Sequence, residues 1–100
     1  MKPIIIQTEA KVELAEGMAW YDEQVPGLSL DFLAEVERAI QRLRQNPQWC
    51  PPHKFGFRKQ CVRRFPYRIY FMDQADMIWV AAVAHTSRKP DYWTTRKLNE

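Results

Sequence analysis

Residues 61–96, CVRRFPYRIYFMDQADMIWVAAVAHTSRKPDYWTTR, decide the fold. Phe65, Tyr67, Ile69 and Phe71 place an apolar side chain at every second position, and a second apolar run follows over residues 78–84. Period-two alternation is the pattern of a strand with one buried face, and Asp73-Gln74-Ala75-Asp76 between the runs is turn material. With those four residues as the loop, Met72 is expected opposite Met77 and Ile69 opposite Val80. That register gathers Phe65, Tyr67, Ile69, Phe71, Ile78, Val80, Ala82 and Ala84 on a face without charge. The other face gathers Arg64, Arg68, Tyr70, Met72, Met77, Trp79, Ala81, Val83 and His85. A slip of one residue would mix the two sets. The charge-free face reads as core, the other as the place of function.

Upstream, Pro3 followed by three isoleucines reads as a first strand. Thr8 is a candidate cap for a helix on which Leu14, Ala15, Met18, Tyr21 and Val25 recur at helical spacing, and Pro26-Gly27 stops it. Ser29 is the candidate cap of a second helix, with Phe32, Leu33, Val36, Ala39, Ile40 and Leu43 on its apolar side and Asn46-Pro47 at its end. Two helices joined by a Pro-Gly turn form an antiparallel hairpin whose apolar stripe needs the charge-free sheet face. Residues 55–62 are expected as a strand, with the next beginning at Phe65-Pro66. Asp91 is a candidate cap for a short helix over 92–98. The expected fold class is α+β: an N-terminal strand, a helical hairpin packed on a twisted antiparallel sheet of about four strands, and a short C-terminal helix.

A length of 100 residues fits a single domain over 1–100, and 46% hydrophobic residues with 13% aromatics argue for a folded core. No apolar run approaches the roughly 18 residues of a membrane span, and the N-terminus lacks the hydrophobic region of a secretion signal. Cys50 and Cys61 show no metal spacing and read as reduced thiols. The net charge is +3. Its distribution says more: residues 54–68 carry six bases and no acid. An anionic partner for the C-terminal half follows.

The cationic set is Lys54, Arg58, Lys59, Arg63, Arg64, Arg68, Arg88, Lys89 and Arg96, interleaved with Tyr70, Trp79, His85, Tyr92 and Trp93. Arginine forks onto phosphates, and aromatic faces stack on unpaired bases. The same residues also suit a solvated polar face with snorkelling arginines. The expected register sets His85 opposite Arg64 and three residues before Arg88. Cleavage of RNA by its own 2′-hydroxyl needs a base, an acid and cations, roles open to His85 or Tyr92 with Arg64 and Arg88. A histidine that merely pins a loop is the competing reading. No zinc spacing, glycine-rich phosphate loop or nucleophile elbow is present, so neither metal nor cofactor is expected.

The order of elements, with PGLSLDFLAEVERAI, RRFPYRIYF and VAAVAHTSRKPDYW, resembles the RelE/ParE superfamily of bacterial type II toxins, and H-x-x-R-x-P followed by Tyr-Trp is similar to the plasmid-stabilisation, ParE-like branch. The resemblance implies a cytoplasmic toxin held inactive by a protein antitoxin, with the first strand at a sheet edge. ParE-like members poison DNA gyrase without a known catalytic step, and that function is expected here. RelE-like members are ribosome-dependent messenger-RNA endonucleases, the alternative function. If the chain is a ribonuclease, the resemblance implies Arg64, His85, Arg88 and Tyr92 as catalytic. Lys54, Arg58, Lys59, Arg63, Arg68, Trp79, Lys89, Trp93 and Arg96 are the expected contacts to target or nucleic acid. A non-toxic adaptor is a third alternative.

Overall fold

The computed structural model describes residues 1–98. The chain runs β1 (Ile4–Ile6), α1 (Thr8–Gln24), α2 (Leu28–Gln45), β2 (Arg58–Cys61), β3 (Tyr67–Asp73) and β4 (Ile78–His85), with single 3₁₀ turns at Pro47–Trp49 and Lys54–Gly56. The four strands form one sheet in the order β1-β4-β3-β2. The expected α+β class, the helical hairpin and the edge position of the first strand are all present. The sheet is mixed rather than wholly antiparallel, because β1 lies parallel to β4. No tight turn links these two strands, so nothing forces them to run antiparallel.

Ala10 and Tyr21 of α1 and Phe32, Val36, Ala39 and Leu43 of α2 bury against Ile69, Phe71, Ile78, Val80 and Val83 of the sheet. Ala15 and Val25, expected on the inner side of α1, are exposed instead. The hairpin turn is set by Gly27 at φ 89°, a conformation natural to glycine. Neither Thr8 nor Ser29 caps its helix: both lie inside it, and no side-chain bond closes either cap. Asp22, from the last turns of α1, supplies the acceptor for α2. Its Oδ1 receives the backbone N–H groups of Gly27 at 3.1 Å and Ser29 at 3.0 Å.

The register of the last hairpin corrects the sequence reading. Asp73 faces Ile78 and Phe71 faces Val80, but Tyr70 faces Ala82, Ile69 faces Val83 and Tyr67 faces His85. Ala81 is the extra residue of a bulge, which turns everything after it to the opposite face. Val83 and His85 therefore join the helix side, and Ala82 and Ala84 leave it. The physical reason lies in the sizes: Val80 and Val83 both fill the core under the helices, while Ala81 and Ala82 are small enough to sit together beneath aromatic rings.

Those rings form a second core on the far side of the sheet. Phe57, Tyr70, Trp79 and Trp93 bury there with Ala81, Ala82 and Ala84. Trp93 stacks on Tyr70 at 4.2 Å and meets Phe57 edge-on at 4.7 Å. The far face is thus roofed by the C-terminal segment, not open to solvent as expected. That segment is a strap of turns over residues 90–95 with no helix among the described residues. Asp91 cannot serve as a helix cap, because its φ of 61° is left-handed, outside the extended region an N-cap needs. The strand expected over 55–62 shrinks to Arg58–Cys61 because Phe55 and Gly56, at φ 59° and 82°, turn the chain. Likewise β3 begins at Tyr67, after the Arg64 turn at φ 71° and after Pro66, which has no N–H to donate.

Candidate functional site

Pairing with β1 reaches only from Ile78 to Val80, so β4 runs on with its outer edge bare of strand. Glu13 of α1 and Arg96 of the strap fill that edge. The Val83 N–H donates to Glu13 Oε1 at 3.1 Å, and Arg96 Nη1 donates to the Ala81 carbonyl at 2.9 Å. The two side chains join each other through Nη1–Oε1 at 2.9 Å and Nη2–Oε2 at 3.1 Å. Tyr92 donates its hydroxyl to Glu13 Oε2. Its ring lies under the Arg88 guanidinium at 4.2 Å and near that of Arg96 at 5.3 Å. Burial, then the bond to Glu13 and its charge, hold the Tyr92 phenol far above the usual tyrosine range. Near neutral pH the phenol keeps its proton and donates it to Glu13.

His85 ends β4 on the helix side, with its ring edge-on to Tyr67 at 5.1 Å. Its Nδ1 accepts the Ser87 backbone N–H at 3.0 Å and lies 2.8 Å from Ser87 Oγ. In neutral imidazole the proton therefore sits on Nε2. A cleft of about 400 Å³ opens here between α1 and the strand ends, walled by Glu16, Trp20, Tyr67, His85 and Arg88. Gly17 lets the helix come this close: a Cβ there would stand 2.9 Å from both Phe32 and the Tyr67 hydroxyl.

On the other side of the His85–Arg88 ridge lies a second cleft of about 270 Å³, bounded by Lys54, Arg68, Arg88, Lys89 and the strap. Among the described residues Asp91 is its only carboxylate. It receives His53 Nε2 on Oδ1 at 2.7 Å and Lys54 Nζ on Oδ2 at 3.1 Å. Those bonds, His53 first and Lys54 second, hold the Asp91 carboxyl below its ordinary range. Among the described residues, Arg68, Arg88 and Lys89 have no carboxylate partner within ion-pair distance.

The remaining predicted residues scatter. Arg64 is not opposite His85; it leans on α2, 3.7 Å from Asp31 and 3.8 Å from Glu35. Arg63 is exposed in the same turn and Lys59 half-buried on β2. Arg58 braces the preceding loop through the carbonyls of Cys50 at 2.8 Å and Gln48 at 3.3 Å. Trp79 and Trp93 were expected to touch a target, but both are consumed in the second core, and Trp79 donates its indole N–H to Gln7 Oε1 at 3.0 Å. Arg96 is bound into the Glu13 pair. Sequence reasoning missed Glu13, His53 and Asp91 as site residues. Glu13 meets Arg96 across 83 positions, and nothing local in the sequence announces such a pair.

The family model for the ParE toxin of type II toxin–antitoxin systems, parDE, matches residues 4–90. The chain belongs to the ParE toxin family. A solved structure from the chromosomal ParDE TA system of P. aeruginosa is similar to this ParE chain with a TM-score of 0.77 and 16% identity, over 87% of this chain and 98% of that one. At that identity the likeness concerns the fold. Comparison with curated proteins gives no match. The match ends at Pro90, so Asp91, Tyr92 and Trp93 of the second cleft, and Arg96, lie beyond the matched region of this ParE toxin. No described helix is long and apolar enough to cross a membrane.

Proposed function

We propose that this type II toxin arrests growth by binding and poisoning DNA gyrase, with no chemical step of its own, and that a protein antitoxin neutralises it in the cytoplasm. The observation that carries this reading is the dispersal of the four groups a ribonuclease would use. Arg64 is spent on Asp31 and Glu35 of α2. The Tyr92 hydroxyl is given to Glu13, with its proton held tightly. His85, Arg88 and Tyr92 line one cleft, but Arg64 stands outside it and the Tyr92 hydroxyl is taken up by Glu13. An acid–base reaction needs both partners and the charge stabiliser within reach of one phosphate.

Induction of the chain in cells, followed by recovery of plasmid DNA and messenger, tests the proposal. Plasmid that loses supercoiling or carries protein-linked breaks, beside intact messenger, is the expected result. Messenger cut at ribosomal A sites, with normal supercoiling, would overturn it in favour of the nuclease. That second reading draws on one feature, the His85 imidazole beside Arg88 at an open cleft. Restoration of growth by a co-expressed neighbouring gene product tests the antitoxin part.

A further inference from the structure

We infer that the cleft between β3, the end of β4 and the strap is a phosphate-binding site, which takes a phosphodiester group of the nucleic acid on which the target works. The inference rests on the gyrase reading for the source of that nucleic acid, while its chemistry stands on the cleft alone. Cations converge there from three parts of the chain: Arg68 from β3, Arg88 and Lys89 from the turn after β4, and Lys54 from the 3₁₀ turn before β2. Against these four stands, among the described residues, one carboxylate, Asp91, already engaged by His53 and Lys54. Several arginines outside the cleft meet oxygen: Arg38 with Glu35, Arg64 with Asp31 and Glu35, Arg96 with Glu13, and Arg58 with two carbonyls; within it, Arg68 shares a side-chain hydrogen bond with Tyr70. The Arg88 guanidinium instead stands 4.2 Å over the Tyr92 ring, a contact that places its fork without neutralising it.

Two features select the ligand. The donors approach from separate walls, so they suit a tetrahedral group with oxygens in several directions better than a planar carboxylate, which a single arginine fork satisfies. The aromatic rings below the cleft, Tyr70 and Trp93, are buried and stacked on each other, so neither offers a face to a base. Without stacking or base-edge contacts, such a site reads backbone and not sequence.

The test is fluorescence anisotropy of the purified full chain with a labelled DNA duplex, without gyrase, over a salt range of about 50–300 mM. Arg68→Gln, Arg88→Gln and Lys89→Gln are each expected to weaken binding and to lower the salt slope by about one, whatever the duplex sequence. Arg38→Gln, on the outer side of α2, is expected to leave affinity and slope unchanged, and near-UV circular dichroism checks that each variant keeps the wild-type aromatic cores. The inference falls if the wild-type chain fails to bind duplex at the lowest salt, or if Arg38→Gln lowers the slope as much as the cleft variants. It also falls if polyglutamate displaces the duplex with the same dependence on the three cleft residues, since the site would then read carboxylates. A parallel supercoiling assay separates the two readings. Duplex binding through the cleft with uninhibited gyrase rejects the poison and keeps the site; inhibited gyrase with no duplex binding rejects the site alone.

Discussion

Glu13 and Arg96 together replace a missing strand. The carboxylate accepts the Val83 N–H and the guanidinium donates to the Ala81 carbonyl, two β4 groups beyond the end of the β1 pairing. Both side chains are almost buried, at 9% and 13% exposure. An unpaired β4 edge at that depth would carry the full cost of desolvated peptide groups.

Removal of either member should therefore cost more than a surface ion pair does. Arg96→Ala leaves Glu13 buried and charged with one cation fewer, and is expected to destabilise the chain by about 3 kcal/mol. The double variant Glu13→Gln, Arg96→Met should lose less than the two single losses summed, because no uncompensated charge remains. Urea unfolding of wild type, Glu13→Gln, Arg96→Met and the double variant measures the cycle. Additive losses would mean that the two residues act separately.

Gly17→Ala sets two effects of opposite sign against each other. Alanine in a helix interior gains about 1 kcal/mol over glycine. The added methyl group would stand 2.9 Å from Phe32 and from the Tyr67 hydroxyl. Phe32 is fully buried and boxed by Tyr21, Phe65 and Tyr67 at ring distances of 4.7–5.2 Å, so it has nowhere to go. Overpacking of this kind costs about 1–3 kcal/mol, and a net loss near 1 kcal/mol is expected by thermal or urea melting. Gly17→Val should lose more, having the larger clash and the poorer helix propensity.

Part of this site was legible before any coordinates. The burial of Ile69, Phe71, Ile78 and Val80 follows from alternation alone, and the helical hairpin from apolar spacing broken at Pro26-Gly27. The register beyond Phe71 does not, because a bulge at Ala81 leaves no mark in a run of small and β-branched residues. From that one extra residue came the misplacement of Val83 and His85; the false pairing of His85 with Arg64 adds to it a two-residue offset at the turn, where Met72 faces Trp79 and not Met77. The second core was hidden for a different reason: Trp79 and Trp93 look alike as contact residues or as core, and only the returning strap decides. His53, Asp91 and Glu13 depend on tertiary proximity across tens of residues, which no periodicity records.

Acid should loosen the strap. The Asp91 carboxyl is held below its usual value by His53 and then Lys54, so it binds fewer protons in the folded chain than in the unfolded one. Its contribution is complete above the unfolded value near 4 and is lost as pH falls through the lower folded value. The Asp91→Asn variant is expected to melt below wild type at neutral pH, with the difference shrinking as pH drops below about 4. The Trp93 indole lies two residues away in the second core, so tryptophan fluorescence against pH reports the release. A constant gap between the two melting curves down to strongly acid pH would show that the His53–Asp91–Lys54 contact contributes nothing.

His85 and Tyr92 separate binding from chemistry most sharply. In a binding poison neither group passes a proton, so Tyr92→Phe and His85→Gln should still arrest growth when induced to wild-type protein levels. Tyr92→Phe removes the hydroxyl that Glu13 accepts while keeping the ring on which Arg88 lies, and is expected to cost about 1 kcal/mol of stability. A general acid or base contributes about 10²–10⁴-fold to a rate, so a nuclease that used either residue would lose its toxicity in these variants. Arg88→Ala weakens toxicity under both mechanisms and does not decide between them, since it strips one cation from a poison's contact surface and one charge stabiliser from a nuclease. The dose of inducer needed to halve growth, compared across Tyr92→Phe, His85→Gln and wild type, is the measurement. A rise of two orders of magnitude for either conservative variant, with the protein still folded, would reinstate proton transfer as the basis of toxicity.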